Sequence, residues 1–263
     1  MKKNTVWEKL YLAVILALTY VPIVLTVFYS FNEAKLTTSF TGFSLRWYRE
    51  LMRDRDLMEA LRNSLILAGL SCGLSVVIGT LGALGMQKVK CRANRIIEYI
   101  STLPIMIPEI ILGMVFLAVF SFMGMKFGMT TLVLAHTTFC VPYIFMQVKA
   151  RLQGMDKSLE EAARDLGATP VRSFFDITLP LILPAVLSGL LLSFAMSFDD
   201  VVISIFVTGP KVNTLPIKIY TKMKTGVTPE INALAFVMLL VTVLLLILSA
   251  IIGKRQKTGK EGI

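Results

Sequence analysis

The chain has 263 residues, 55% of them hydrophobic and only 17% charged, with a mean hydropathy of +0.72. Soluble domains carry about a quarter charged residues, so this composition excludes an ordinary soluble globule and defines a polytopic membrane protein. Lys plus Arg is 27 against 17 Asp plus Glu, a net charge of +10. In a soluble chain that surplus would point to nucleic acid; here it lies between apolar runs, and no nucleic-acid partner is expected. The cysteines, Cys72, Cys91 and Cys140, are odd in number and lack CxxC spacing, which argues against a disulfide framework or a zinc site. His136 stands alone in the sequence, without the acidic or thiol partners a metal would need.

A helix that crosses a bilayer needs roughly 20 apolar residues. Six stretches qualify: residues 10–31, 64–86, 96–122, 130–148, 181–207 and 233–252. The expected fold class is therefore all-α, with six transmembrane helices. Lys2 and Lys3 give the first stretch the look of a signal peptide, but it exceeds twenty residues and has no small-x-small cleavage site, so it reads as an uncleaved span. Sixteen of the 27 basic residues fall at the two ends and in the segments 88–95 and 149–172. By the positive-inside rule both termini are cytoplasmic. The polar stretch 32–62, with Trp47 and Tyr48, is expected to hold a short amphipathic helix at the outer interface. In the second span Gly69, Gly73, Gly79, Gly82 and Gly85 read as a face for close helix packing.

The one long cytoplasmic connection, 149–180, carries a mechanism. Residues 158–167 predict a short helix: Ser158 with Glu161 makes a capping box, Asp156 being an alternative cap. Leu159, Ala162, Ala163 and Leu166 form its single apolar face. Gly167 supplies the left-handed stop. Thr169-Pro170 restarts a helix as cap and first residue, and Leu179-Pro180 is expected to close it at the membrane. An exposed apolar face of small side chains invites a partner surface.

Glu161-Ala162-Ala163, then Gly167 and Ile177-x-Leu179-Pro180, resembles the EAA loop of ABC-importer permeases. Further stretches, at 139–145 (FCVPYIF), 197–210 (SFDDVVISIFVTGP), 215–220 (LPIKIY) and 226–234 (GVTPEINAL), resemble spermidine/putrescine permeases of the PotC type. The resemblance implies the transmembrane domain of a type I ABC importer over residues 63–252, with 1–62 an N-terminal span and outer loop, 150–180 a coupling segment and 253–263 a basic cytoplasmic tail. It also implies a heterodimer with a second related permease, two ATP-binding subunits and an extracytoplasmic polyamine-binding protein. Leu159, Glu161, Ala162, Ala163, Leu166 and Gly167 would then dock on the ATPase. No G-x-x-x-x-G-K-[ST] loop occurs, so ATP and magnesium belong to the partner ATPase, this chain binds no cofactor, and it is no enzyme.

Acids inside membrane spans are costly and are functional candidates by default. Glu109, Asp199 and Asp200 qualify. Glu109 follows Pro104 and Pro108, which are expected to kink the third span and free carbonyls. Ser193, Ser197, Asp200 and Ser204 make one polar stripe on the fifth span, so Asp200 is preferred for a cation's path and Asp199 for a structural contact or the outer vestibule. Tyr143, Phe198 and Tyr220 offer aromatic faces to ammonium groups. The outer connection 208–230 reads as a gate or docking face rather than a binding site, given its lysines. Among importer cargoes, ferric iron, thiamine or a phosphonate are the alternatives, and an anion would want basic residues inside the spans. No G-x-S-x-G or H-E-x-x-H supports an enzyme, and a lone channel or secondary carrier would have no use for the cytoplasmic helix–Gly–helix.

Overall fold

A computed structural model describes residues 6–34, 39–89, 94–156, 158–226 and 229–258. The expectations that rest on Lys2, Lys3, Cys91 and Lys260 lie outside the described residues. Among the described residues the regular structure is helical, apart from one isolated bridge between Asn32 and Phe43. The helices are α1 (Val6–Tyr29), α2 (Arg46–Arg53), α3 (Arg55–Lys88), α4 (Asn94–Met106), α5 (Glu109–Phe122) and α6 (Met129–Gln153). They continue with α7 (Ser158–Asp165), α8 (Pro170–Ser173), a π turn (Phe174–Thr178), α9 (Leu179–Asp199), α10 (Val202–Val207), α11 (Leu215–Thr225) and α12 (Pro229–Thr258).

Among the described residues four helical runs are long and apolar enough to cross a bilayer: Trp7–Tyr29, Arg55–Lys88, Met129–Gln153 and Pro170–Asp199. The third expected span is more than kinked. Its halves α4 and α5 meet at 109°, broken at Ile107-Pro108, where Pro108 takes the extended backbone (ψ 134°). The sixth stretch lies on α12, whose Pro229–Leu244 part is apolar. The fifth expected span ends early as well: α9 stops at Asp199, Asp200 is extended (ψ 125°), and α10 follows as a separate short helix. Leu179-Pro180, expected to close the cytoplasmic helix, does not. Proline removes an N–H and crowds the carbonyl four residues back, and the chain absorbs this by widening to the π turn, in which the Leu179 N–H bonds the Phe174 carbonyl. The helix then continues into α9.

The chain divides into two compact units, Met1–Glu59 with Lys218–Val241, and Ala60–Ile217 with Thr242–Ile263. In the first, the expected short helix is α2, and it carries Trp47 and Tyr48 as the sequence predicts. The Trp47 indole donates to the Asn32 carbonyl at 2.7 Å, and Tyr48 shares a 2.6 Å hydrogen bond with Ser30. Phe31 stacks on Phe43 and meets Tyr48 and Phe236. Burial raises the Tyr48 hydroxyl pKa against the opposing effect of the Ser30 bond. Lys222 bonds Glu230 at 2.6 Å and Asp54 at 3.4 Å. Partial burial opposes its charge, but the two carboxylates outweigh that and raise its pKa.

The second unit packs α6 between α3 and α9. One apolar core gathers Leu67, Phe116, Phe120, Leu132, Phe139 and Ile203, and another gathers Leu84, Ile144, Phe145, Val148 and Ile182. Glycine sets the approach. A Cβ at Gly79 would lie 3.0 Å from the Phe145 nitrogen, and one at Gly189 would lie 3.0 Å from the Ile144 Cα. Gly82 also faces Phe145, whereas a Cβ at Gly69, Gly73 or Gly85 would meet nothing of this chain within 4 Å, so the packing within the chain uses Gly79 and Gly82. Because the atoms met are backbone, Gly189→Val must push α9 and α6 apart. The expected cost is about 1–3 kcal/mol, read as a lower melting temperature of the purified complex in detergent.

Candidate functional site

Two helix breaks face one cleft of about 380 Å³, lined by Glu109, Tyr143, Met196, Asp199 and Asp200 with apolar neighbours. The breaks are Ile107-Pro108 between α4 and α5, and Asp200-Val201 between α9 and α10. Their downstream pieces are locked together: a Cβ at Gly113 of α5 would lie 2.5 Å from the Phe206 ring of α10. Glu109 is the first residue of α5 and is exposed. There the positive end of the helix dipole favours its charge. The last carbonyls of α9 lack intrahelical partners and form the negative end of that helix, beside Asp199. No Lys or Arg lines the cleft among the described residues.

The two aspartates stand differently from the sequence expectation. Asp200 has a side chain only 7% exposed, and both oxygens are occupied. Oδ1 accepts the Ile203 N–H at 3.2 Å and Oδ2 accepts the Ser204 N–H at 2.8 Å, so it caps α10. Asp199 is exposed on the cleft. The expectation treats 193–204 as one continuous helix, and the break after Asp199 removes that premise. The serine stripe is real, but it meets protein. Ser193 and Ser204 are fully buried and Ser197 nearly so. Ser193 donates to the Cys140 carbonyl at 3.3 Å, and Ser197 lies 3.2 Å from Ser71 Oγ of α3.

His136, isolated in sequence, is at the centre of this contact. It is fully buried on α6, with Nδ1 2.8 Å from Ser197 Oγ, Nε2 3.1 Å from Ser204 Oγ and 3.5 Å from Asp200 Oδ2. Its partners lie 61 to 68 positions away, beyond any local spacing rule. Of the aromatic candidates, Tyr143 lines the cleft. Phe198 is buried and stacks on Phe194 with centroids 5.9 Å apart. Tyr220 belongs to the other unit, with Lys224 Nζ 4.5 Å above its ring.

The connection between α6 and α9 forms the helix–Gly–helix read from sequence. Asp156 accepts the Ser158 N–H at 3.0 Å, which holds its carboxyl below the usual range. Gly167 has φ +86°, and the Ala168 N–H reaches back to the Ala163 carbonyl at 3.0 Å, a Schellman closure. Thr169 caps α8 by accepting the Arg172 N–H at 3.3 Å. Leu166 is 90% exposed, and Leu159, Glu161 and Ala162 are exposed as well, with Ala163 partly covered. Val171 and Phe175, not singled out in sequence, extend the exposed apolar surface. Glu160, Glu161 and Arg164 turn toward Gln87 and Lys88 at the end of α3, across a second cleft of about 380 Å³.

Several helices long and apolar enough to cross a bilayer, a broken-helix cleft and an exposed helix–Gly–helix describe a multi-pass membrane protein with the build of a permease subunit rather than an enzyme. Residues 75–258 match the family of binding-protein-dependent transport system inner membrane components, and the chain belongs to that family. It is homologous to the putrescine transport system permease protein PotI of Escherichia coli (strain K12), 40% identical over 240 residues, 89% of this chain and 85% of that protein. It is 39% identical to the spermidine/putrescine transport system permease protein PotC of Haemophilus influenzae over 94% of this chain and 96% of that one. A solved chain of a bacterial ABC transporter involved in import of the acidic polysaccharide alginate shares the fold with a TM-score of 0.73 at 17% identity, covering 95% of this chain and 94% of that one. The methionine ABC transporter MetNI aligns with a TM-score of 0.62 at 18% identity, over 81% of this chain and 99% of that one.

Proposed function

We propose that the chain is the permease subunit of an ATP-driven importer that passes polyamines, putrescine or spermidine, through the cleft bounded by Glu109 and Asp199. The observation that carries this reading is the cleft's charge: two exposed carboxylates, the carbonyl end of α9 and the Tyr143 ring, with no basic side chain among its described lining residues. A polyamine needs replacements for lost water at several ammonium groups, and carboxylates, carbonyls and an aromatic face supply them weakly enough for release. The likeness to putrescine and spermidine permeases supports the same cargo. Ferric iron, thiamine or a phosphonate is the alternative, and the absence of a basic lining counts most against the phosphonate.

In this reading α7 docks on an ATP-binding subunit through Leu159, Ala162, Ala163 and Leu166. The assembly holds a second related permease, two ATP-binding subunits carrying ATP and magnesium, and an extracytoplasmic polyamine-binding protein. Both termini face the cytoplasm, and the outer connection 208–230 lies on the binding-protein side. The test is uptake of radiolabelled putrescine and spermidine by cells lacking other polyamine importers. ATP-dependent accumulation that unlabelled polyamine competes away is expected. Accumulation competed only by thiamine or by ferric iron would assign another cargo.

A further inference from the structure

We propose that His136 is a positioning residue for the substrate path: it staples the break between α9 and α10 and so fixes where the Asp199 carboxylate stands in the cleft. This rests on the reading of the cleft as a cation's path. His136 itself does not line the cleft. It acts from behind, on α6, where its ring is fully buried and lies against Phe139 with centroids 5.0 Å apart. One nitrogen holds Ser197, two residues before Asp199, and the other holds Ser204, the third residue of α10, and faces Asp200 between them.

A helix break inside a bilayer leaves backbone groups without their usual partners and without water, so the surrounding structure must over-determine it. Here the Asp200 carboxylate takes the first N–H groups of α10, and the imidazole ties that carboxylate to both flanking helices. With Nε2 facing a carboxylate, the proton belongs on Nε2, and Nδ1 accepts the Ser197 hydroxyl. One ring thus fixes the angle between the two segments, and Asp199, at the end of α9, inherits its direction. A residue that only filled space here would be apolar. Three polar partners, spread on both sides of one break, make a role as filler insufficient.

The experiment uses the complete transporter complex in membranes. Asp199→Cys is introduced in a background whose native cysteines are replaced by serine or alanine, and the introduced thiol is labelled with the small cationic reagent 2-aminoethyl methanethiosulfonate. His136→Phe keeps a ring of similar size but no hydrogen bonds, and it should change the labelling rate by about tenfold, the usual consequence of losing one or two buried hydrogen bonds. His136→Gln, which reaches Ser204 and Asp200 with an amide, should stay within about threefold of the parent. In uptake assays, adding His136→Phe to Asp199→Glu should cost less than about threefold, because the carboxylate is already displaced. If both His136 variants fail to assemble, Ser204→Ala carries the test, with a change of about threefold in labelling expected.

Equal labelling rates across His136→Phe, His136→Gln and the parent, or an unchanged rate in Ser204→Ala when it stands alone, overturn the assignment. So does full rescue by His136→Phe with loss in His136→Gln. Labelling is read without any cargo. A transporter that fails to carry polyamines, yet shows His136-dependent labelling, would overturn the cargo and leave the positioning role standing.

Discussion

Asp199→Asn is expected to lower polyamine uptake by about thirtyfold or more while the complex still assembles. A carboxylate and an ammonium 4 Å apart are worth roughly 4 kcal/mol at an effective dielectric near 20, and even half of that is about thirtyfold in rate. The side chain is exposed on the cleft, so the folded state loses little. Glu109→Gln should act in the same direction, and the double variant should leave no measurable uptake. Asp200→Asn makes the contrast. Its oxygens cap α10 and face His136, so the amide should cost assembly and melting temperature rather than acting on transport alone. Uptake kinetics and size-exclusion profiles of the four variants separate these outcomes.

Gly167→Val is expected to abolish the stimulation of ATP hydrolysis by loaded binding protein, with Glu161→Lys giving a milder loss. A Cβ at Gly167 would meet nothing of this chain within 4 Å, so the expected effect does not rest on crowding. It comes from the backbone: φ is +86°, a conformation that costs an L-residue roughly 1–2 kcal/mol and a β-branched one more. The turn would open, and α7 and α8 would no longer present Leu166, Val171 and Phe175 together. Gly167→Asn, which tolerates the left-handed region, should restore most of the coupling. Glu161→Lys adds a third positive charge to the cleft already lined by Lys88 and Arg164. Stimulated ATPase in proteoliposomes and co-purification of the ATP-binding subunit read both variants.

What was legible in the sequence follows from the range of the signals. The helix–Gly–helix segment is governed by neighbours: a glycine stop, a threonine cap before proline, an apolar stripe at helical spacing. Each appears in the structure where the spacing puts it. The apolar runs likewise located the helices, because length and hydropathy decide a crossing. Breaks were harder. Pro104 and Pro108 announced a disturbance but not a turn of 109°, and Asp200-Val201 carries neither glycine nor proline. Its signal was an aspartate three and four residues before amides that need an acceptor, and it was hidden by the assumption of a continuous helix.

Periodicity also grouped Ser193, Ser197 and Ser204 on one face, but it says nothing about what that face meets. It meets α6 and α3, and His136, alone in the sequence, fills the contact. Pro180 looked like an end and is instead accommodated by one wider turn.

The most direct measurement is photolabelling of the assembled transporter with a benzophenone-bearing polyamine during ATP turnover, with the adducts mapped by peptide mass spectrometry. Label should fall on the peptides that carry Glu109, Tyr143 and Met196–Asp199, fade with excess spermidine and vanish in Asp199→Asn. Competable label confined to other helices, or unchanged in Asp199→Asn, would contradict passage of the cargo through this cleft.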